Sequence, residues 1–478
     1  MSNTTDNLAR QRISGLLDDK SFMEIGSLVA ARSTDFNLKQ VDAPSDGVVT
    51  GYGLIAGNLV YVYSQDADVL NGTIGEMHSK KIAAIYDMAM KMGAPIIGFI
   101  DCAGIRLQES VDALHGFGEI YSRQVAASGV IPQICAVFGT CGGGLSVVSA
   151  LCDFAYIESK NGSVFVNSPN AIPGNTVEKC DTAGAEYQSK YSGNFDGTGS
   201  TQEILRAIRE LVSILPDNNA KGGYQDECTD DLNRTCEGIA AIKGDARLVL
   251  SHISDDHTFI EAKADYDQSM VTGFIKLNGM TVGAVAPCTQ IHNADGEEIE
   301  HFEPVLNVRG CNKAADFVQF CDAFDIPVIT LTNIEGFDSS MCSEKGLAHA
   351  LARLTYAFAN ATVPKVNIIT GNAYGSAYVI FNSKALGTDL TYAWKDSKIG
   401  MMDAKLAAKI MYAEEDAQVV AQKAKEYDAL QSNVIAAAKR GYVDLIIEPA
   451  DTRKYAIAAF EMLYTKRLEG PIKKHGTK

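Results

Sequence analysis

The chain repeats itself, and that repeat limits what it can fold into. LDDKSFMEI at 17–25 returns as SDDHTFIEA at 254–262, setting Asp18, Phe22 and Glu24 opposite Asp255, Phe259 and Glu261. VTGYG at 49–53 resembles VTGFI at 271–275. Three later matches share one offset of 232 residues: PIIGFIDCAG at 95–104 with PVITLTNIEG at 327–336, IPQICAVFG at 131–139 with VPKVNIITG at 363–371, and Gly143 with Gly375. Ordered matches at a single spacing mean that one structural plan is used twice. A chain of 478 residues is also too long for one compact core. The sequence therefore predicts two similar domains, 1–235 and 236–478, joined in the Asn-, Gly- and Asp-rich stretch 216–231.

Each half carries the same local pattern. A helix with apolar residues at helical spacing (Ile82, Ile85, Met88, Met92; then Ala314, Phe317, Phe320, Phe324) precedes an apolar strand, PIIGFID or PVITLTN. A second apolar strand follows, ICAVFG or VNIITG, and after it a glycine-rich turn that opens another helix. Strands alternating with helices predict an α/β fold with parallel sheets and crossover connections. In such sheets ligands bind where strand ends meet helix N-termini.

The turns GTCGGGL at 139–145 and GNAYGSAYV at 371–379 occupy those places. Small residues there let a ligand approach the backbone, and first-turn N–H groups have no partner within their helix. Paired N–H donors at a helix start stabilise a carbonyl oxygen that gains negative charge. Close strand–helix packing also explains one such turn; its recurrence at the same place in both halves favours function. No phosphate loop, dinucleotide fingerprint, serine-nucleophile elbow or zinc-protease motif occurs, and the eight histidines are scattered. The pattern supplies oxyanion stabilisers without a side-chain nucleophile or metal, so the base is expected from a cofactor.

The net charge of −17, from 42 basic and 59 acidic residues, argues against a nucleic-acid surface. The polar start MSNTTDNLARQ lacks a signal-peptide core, and no apolar run nears the ~20 residues of a membrane span. Eleven cysteines occur without a C-x-x-C pair, and Cys135, Cys152 and Cys321 sit in apolar runs, as expected of reduced thiols in a cytoplasmic protein.

These motifs resemble the carboxyltransferase subunits of biotin-dependent acyl-CoA carboxylases and decarboxylases, namely those of propionyl-CoA carboxylase and methylmalonyl-CoA decarboxylase. The resemblance runs from RISGLLDDKSFMEI at 12–25 to RGYVDLIIEPADTR at 440–453. It is strongest at LVYVYSQD (59–66), GEMHSKKI (75–82), AASGVIPQI (126–134), ADFVQFCDAFDIPVIT (315–330), TYAFANATVPKV (355–366) and AYGSAY (373–378). It implies two tandem crotonase-like domains, with the acyl-CoA side in the first and the biotin side in the second. It also implies a site formed between the first domain of one subunit and the second domain of a partner. The implied thioester-enolate donors are the N–H groups of Gly143 and Gly144, and the implied biotin-oxygen donors those around Gly375, Ser376 and Ala377. Cys102, Ala103, Gly104, Ile105, Arg106, Cys141, Tyr374 and Val379 are the implied substrate-binding residues, while Arg106 and Lys365 are candidates for the CoA phosphates. The implied partners are a biotin carboxyl carrier protein, a biotin carboxylase subunit or membrane decarboxylase subunits, in a homohexamer or trimer of dimers, with no metal in this subunit.

The chain departs from the family at several loops. D-S-G-G-A-R-I-Q-E-G reads DCAGIRLQES at 101–110, retaining Arg106, Gln108 and Glu109 but placing Ala103 and Ser110 where glycines stand. P-C-A-G-G-A reads TCGGGL at 140–145, and R-K-A-Y-G-G-A-Y-D reads GNAYGSAYV at 371–379. Backbone donation survives the change to Ser376 only with a negative φ there. Val379 replaces an Asp whose position bears on acyl-chain selection, which implies a different or longer acyl group. V-P-G-F-L-P-G and V-M-G-A-E-G-A are IEGFDSS at 334–340 and MMDAKLA at 401–407.

Residues 89–92 spell A-M-K-M, the tetrapeptide around the biotinylated lysine of carrier domains. Lys91, however, shares an outer helical face with Lys80, Ala84 and Asp87, and Gly93 ends that helix, so biotin is expected on a separate carrier. The segment 288–304 holds His292, Asp295, Glu297, Glu298 and His301; an acidic solvated loop is expected rather than a metal site. Rival readings are a sodium-pumping decarboxylase subunit, a non-catalytic scaffold paralogue, and a crotonase-type hydratase or isomerase with Glu109 as base.

Overall fold

The structure, a computed structural model, describes residues 7–32, 43–174, 181–220 and 226–468. The chain divides into two units between Gly222 and Gly223 rather than at 235/236. The stretch after the join belongs to the second unit because it is bonded there. Asp226 N–H donates to Gly279 O, and the Arg234 guanidinium reaches the carbonyls of His252 and Ser254, each at 2.9 Å. Residues 221–225 of the expected join lie outside the described residues.

The first unit is built on strands β1 (Met23–Ile25), β2 (Val48–Ile55), β3 (Asn58–Gln65), β4 (Ile96–Cys102), β5 (Gln133–Gly142), β6 (Phe154–Glu158), β7 (Ser163–Phe165) and β8 (Gly197–Gly199). Their sheet order is β1-β2-β3-β4-β5-β6-β8, with β7 beside the end of β5, and every pair from β3 onward is parallel. The second unit has β9 (Phe259–Ala262), β10 (Met270–Leu277), β11 (Met280–Pro287), a hairpin of β12 (Gln290–His292) and β13 (Glu298–His301), then β14 (Val305–Leu306), β15 (Val328–Ile334), β16 (Gly336–Phe337), β17 (Lys365–Tyr374), β18 (Leu390–Trp394), β19 (Lys398–Gly400) and β20 (Leu445–Ile447). Its main sheet runs β9-β10-β11-β15-β17-β18-β20, with β19 beside the end of β17.

The two orders are the same plan, and the register agrees in detail. β4 and β5 slip register between Ile100 and Cys102; β15 and β17 slip between Thr332 and Ile334, 232 residues on. The repeat therefore extends to the irregularities that aim the strand ends.

The residues that revealed the repeat hold equivalent turns. Asp18 accepts from the N–H groups of Ala56 and Gly57 at 3.2 and 3.0 Å, and Asp255 from those of Asn278 and Gly279 at 3.2 and 2.7 Å. Each carboxylate also meets an arginine, Arg209 at 2.8 Å and Arg453 at 2.7 Å. Phe22 packs on Gly51 and Phe259 on Gly273, where a Cβ would meet the ring at 2.6 and 2.7 Å.

Each unit has its own core. Tyr63, Ile82, Ile85, Tyr86, Ile96 and Phe195 belong to the first; Val282, Ile329, Val366, Ile368, Trp394 and Phe460 to the second. The helix Glu76–Met92 buries Ile82 and Ile85, but Met92, expected on the same face, is exposed because the helix ends there at Gly93, which has φ +61°. Ala314, Phe317 and Phe324 are buried around the helix Val308–Ala323. Among the described residues, no helix is long and apolar enough to cross a membrane.

Candidate active site

β5 ends at Gly142, and the helix Leu145–Ala150 follows after two residues. Gly143 makes the reversal with φ +62°, a conformation that favours glycine, and a Cβ there would meet nothing within 4 Å. Its N–H, expected to stabilise an oxyanion, donates instead to Phe165 O on β7 at 2.9 Å. Gly143 is thus the hinge of the turn and not a free donor. Of the next two N–H groups, that of Gly144 has no acceptor among the described residues, and that of Leu145 stands at the first position of its helix, without a partner within it. Gly144 has no side-chain cap over the helix start, which leaves the N–H groups of Gly144 and Leu145 at the open end of the helix.

The loop after β4 lies against this turn: a Cβ on Gly104, with φ +115°, would sit 3.9 Å from Gly142 O. Ile74 N–H donates to Gly104 O and Arg106 N–H to Ile74 O, both at 2.9 Å. Ala103 is exposed and Ile105 half-buried, while Cys102 and Cys141 pair in register and are buried. Burial pushes the Cys102 thiol up to about 12 and the Cys141 thiol higher still, so neither is a nucleophile near neutral pH.

Arg106 does not face a ligand. Its guanidinium is 1% exposed, 2.6 Å from Asp46 and 2.7 Å from Glu109, and donates to Thr73 O at 2.8 Å. The donors needed for a CoA phosphate are spent inside the protein. Glu109, the base of the hydratase reading, is held by that arginine and by Glu76 N–H at 2.5 Å. Lys365 is likewise buried, donating to Phe358 O at 2.6 Å, and burial pulls its ammonium down to about 8. It is not a phosphate ligand.

In the second unit β17 ends at Tyr374 and the helix Gly375–Ile380 begins at once. Gly375 repeats the φ of +62°, and Tyr374 provides no side-chain cap. Gly375, Ser376 and Ala377 are the first three helical positions, whose N–H groups have no partner within the helix. Ser376 is exposed and absent from the positive-φ residues, so its peptide remains a usable donor. Ala377 and Tyr374 are buried and Val379 is exposed. Burial raises the Tyr374 phenol to about 12, with Asp403, Glu335 and Asp428 adding to the effect.

The match of residues 3–477 to the carboxyl transferase domain decides the family. The chain belongs to the carboxyl transferase family. It is 38% identical to the propionyl-CoA carboxylase beta chain of Roseobacter denitrificans over 482 residues, covering 98% of this chain and 92% of that one. It is 37% identical to the methylmalonyl-CoA decarboxylase subunit alpha of Propionigenium modestum, with the same coverage. Among solved structures it resembles the 12S transcarboxylase hexamer with hydrolyzed methylmalonyl-coenzyme A bound, at a TM-score of 0.91 and 35% identity, over 98% of this chain and 92% of that chain. The two units of this carboxyl transferase are crotonase-like α/β domains, as its sequence predicts.

One of its departures from the family now has a geometry. Ser110 sits at φ 45°, ψ −117°, a conformation that suits the family's glycine and strains a serine. The segment 288–304 carries the β12–β13 hairpin, with Glu297, Glu298 and His301 exposed. Among the described residues, no three His, Cys, Asp or Glu side chains gather as metal ligands. Lys91 is exposed near the end of the helix Glu76–Met92, as are Lys80 and Ala84. Sequence reasoning missed Phe165, which occupies the Gly143 N–H, and Tyr121, whose hydroxyl donates to Gly144 O at 2.6 Å. β7, only three residues long, carries too little pattern to have pointed to Phe165. Nothing in the sequence pointed to Tyr121.

Proposed function

We propose that this carboxyl transferase moves a carboxyl group between biotin on a separate carrier and the α-carbon of a short-chain acyl-CoA, with propionyl-CoA and methylmalonyl-CoA as the first candidates. The observation that carries this is the pair of matching helix starts, at Gly144/Leu145 and Gly375–Ala377, each presenting N–H groups that have no partner within the helix, beside a glycine at φ +62°. The names of the relatives, and the hydrolyzed methylmalonyl-CoA bound to the 12S transcarboxylase, point to the acyl group.

The first turn handles the thioester. Negative charge builds on the thioester oxygen as the α-proton leaves, and Gly144 and Leu145 N–H groups oppose it without reorganising. The helix start adds its dipole. Neither Glu109 nor Cys102 is free to take the proton: Glu109 is ion-paired and buried, and Cys102 holds its own proton. The second turn suits a carbonyl or ureido oxygen that becomes anionic, because its donors are main-chain groups at a helix start and its rim is uncharged at Ser376 and Val379. Biotin, when bound there, supplies the transferable carboxyl group and the base. We further propose a homohexamer, like the 12S transcarboxylase, acting in the cytoplasm with a biotin carrier and with a biotin carboxylase or membrane decarboxylase subunit.

The test is carboxyl loss from malonyl-CoA and methylmalonyl-CoA by the purified protein, with free biotin as acceptor. Biotin-dependent loss supports the proposal, and the faster thioester ranks the acyl groups. Turnover that ignores biotin would favour a crotonase-type activity and defeat it. Thioester binding with no turnover of either substrate would favour a scaffold or a different acyl group.

A further inference from the structure

We infer that Tyr121 is a positioning residue for the acyl-side oxyanion hole, setting the direction of its donors through the carbonyl of Gly144. This rests on the proposed function of that turn and adds a side chain to a site otherwise made of backbone.

The argument follows from peptide planarity. In a trans peptide the C=O and N–H point in opposite directions, so fixing one fixes the other. The N–H of Leu145 belongs to the same peptide as the C=O of Gly144. The N–H of Gly144 belongs to the same peptide as the C=O of Gly143. Both carbonyls are held from behind. Gly143 O accepts from Ser146 N–H at 3.1 Å and from Ser146 Oγ at 2.7 Å. Gly144 O accepts from Val147 N–H at 3.2 Å and from Tyr121 Oη at 2.6 Å. Ser146 and Val147 belong to the turn itself and move with it. Tyr121 lies on the helix Ser110–Ala127, so it ties the turn to a separate element.

That helix grips the short one at a second point. Gln124, three residues on from Tyr121, donates to Val148 O at 2.9 Å. Gly144 and Val148 are four residues apart on the gripped segment, so two side chains one turn apart hold two carbonyls one turn apart. The Tyr121 ring is steadied by Phe117, with centroids 5.8 Å apart. The fit also explains the glycine at 144: a Cβ there would sit 2.8 Å from Tyr121 Oη. Among the described residues, the second unit has no such clamp. The residue 232 positions on is Arg353, which is bound to Asn312 and Asp316 at 2.6 Å each. The device therefore belongs to the thioester side alone.

Tyr121→Phe keeps the ring and its packing while removing the donor. The expected result is a kcat for biotin-dependent carboxyl transfer lowered roughly tenfold, less than loss of an oxyanion donor itself. KM for the acyl-CoA and the melting temperature should change little. A second readout needs no turnover: binding of a nitroalkyl-CoA in its nitronate form, which places an oxyanion where the enolate oxygen forms. Y121F should weaken the nitronate roughly tenfold and leave free CoA unchanged. Should Y121F fail to fold, Gly144→Ala sets a Cβ 2.8 Å from Tyr121 Oη and disturbs the same contact from the other side, and a selective loss of nitronate affinity is expected there too. Unchanged kcat and unchanged nitronate affinity in Y121F would overturn the inference while leaving the proposed function standing. A wild-type protein without biotin-dependent transfer would defeat the proposed function, and the nitronate comparison would still judge the clamp.

Discussion

Arg106 shows how a motif residue can be legible while its work is not. Its place in the family sequence suggested a substrate contact, but its guanidinium lies between Asp46 and Glu109 and fastens the loop that carries Gly104. Arg106→Ala strands two buried carboxylates, and a loss of about 3–5 kcal/mol is expected. Thermal unfolding should show it, whereas a phosphate contact would raise the KM for CoA thioesters and leave the melting temperature alone. Ser110 gives the opposite prediction. Ser110→Gly restores the residue that suits φ 45°, ψ −117° and should stabilise the protein by about 1 kcal/mol in the same assay. Both residues could be singled out from sequence, because each stands in a recognisable motif. Their roles could not, since partners such as Asp46, 60 residues from Arg106, meet it only in three dimensions.

At the scale of elements, the helix Glu76–Met92 carries His78 into the interior. Its Nδ1 faces Asp46 O at 2.9 Å and its Nε2 faces the Gln65 amide at 3.1 Å, an arrangement that fits a neutral ring. Burial, with Arg106 and Lys81 nearby, pulls the imidazole down to about 3. The unfolded ring takes up its proton near pH 6.5, so the folded form binds fewer protons below that value. The contribution of His78 to stability is complete above pH 6.5 and is lost as pH falls towards 3. Between pH 6.5 and 5 the loss is about 2 kcal/mol. Melting temperatures of the wild type should therefore fall more steeply over this interval than those of His78→Asn, which keeps a donor and an acceptor but cannot titrate. The glycine turns give a second comparison. Gly143→Ala should cost about 1–2 kcal/mol from φ alone, because nothing lies near its Cβ. Gly375→Ala should cost more, since its Cβ would also press on Met401 O at 3.2 Å. Equal melting temperatures for the two variants would contradict this. The strands and helices around these turns could be read from the apolar runs. The bond from Gly143 to Phe165 could not, because a three-residue strand leaves too little pattern to find.

For the whole molecule, the offset of 232 residues predicted the sheet plan well, because equivalent strands keep their spacing from β4 to β5 and from β15 to β17. The boundary was less legible. Composition marks where a chain becomes polar, whereas the division depends on which side the stretch after 225 bonds to. If the proposed assembly is right, mass photometry should give a particle near six times 51.2 kDa. A monomer at micromolar concentration would count against it.

The repeated frame has filled its interior in two different ways. Across β15, β17 and β18 lie Thr330, Asn367 and Thr391, all fully buried, with the Asn367 carbonyl oxygen accepting from Thr330 and Thr332. The corresponding row across β4, β5 and β6 is Gly98, Cys135 and Ala155. The same backbone thus tolerates either a hydroxyl–amide ladder or an oily row beneath its working turn. Each half can then change what lies behind its turn without forfeiting the turn itself, and one ancestral architecture could come to serve two unlike chemical tasks within a single chain.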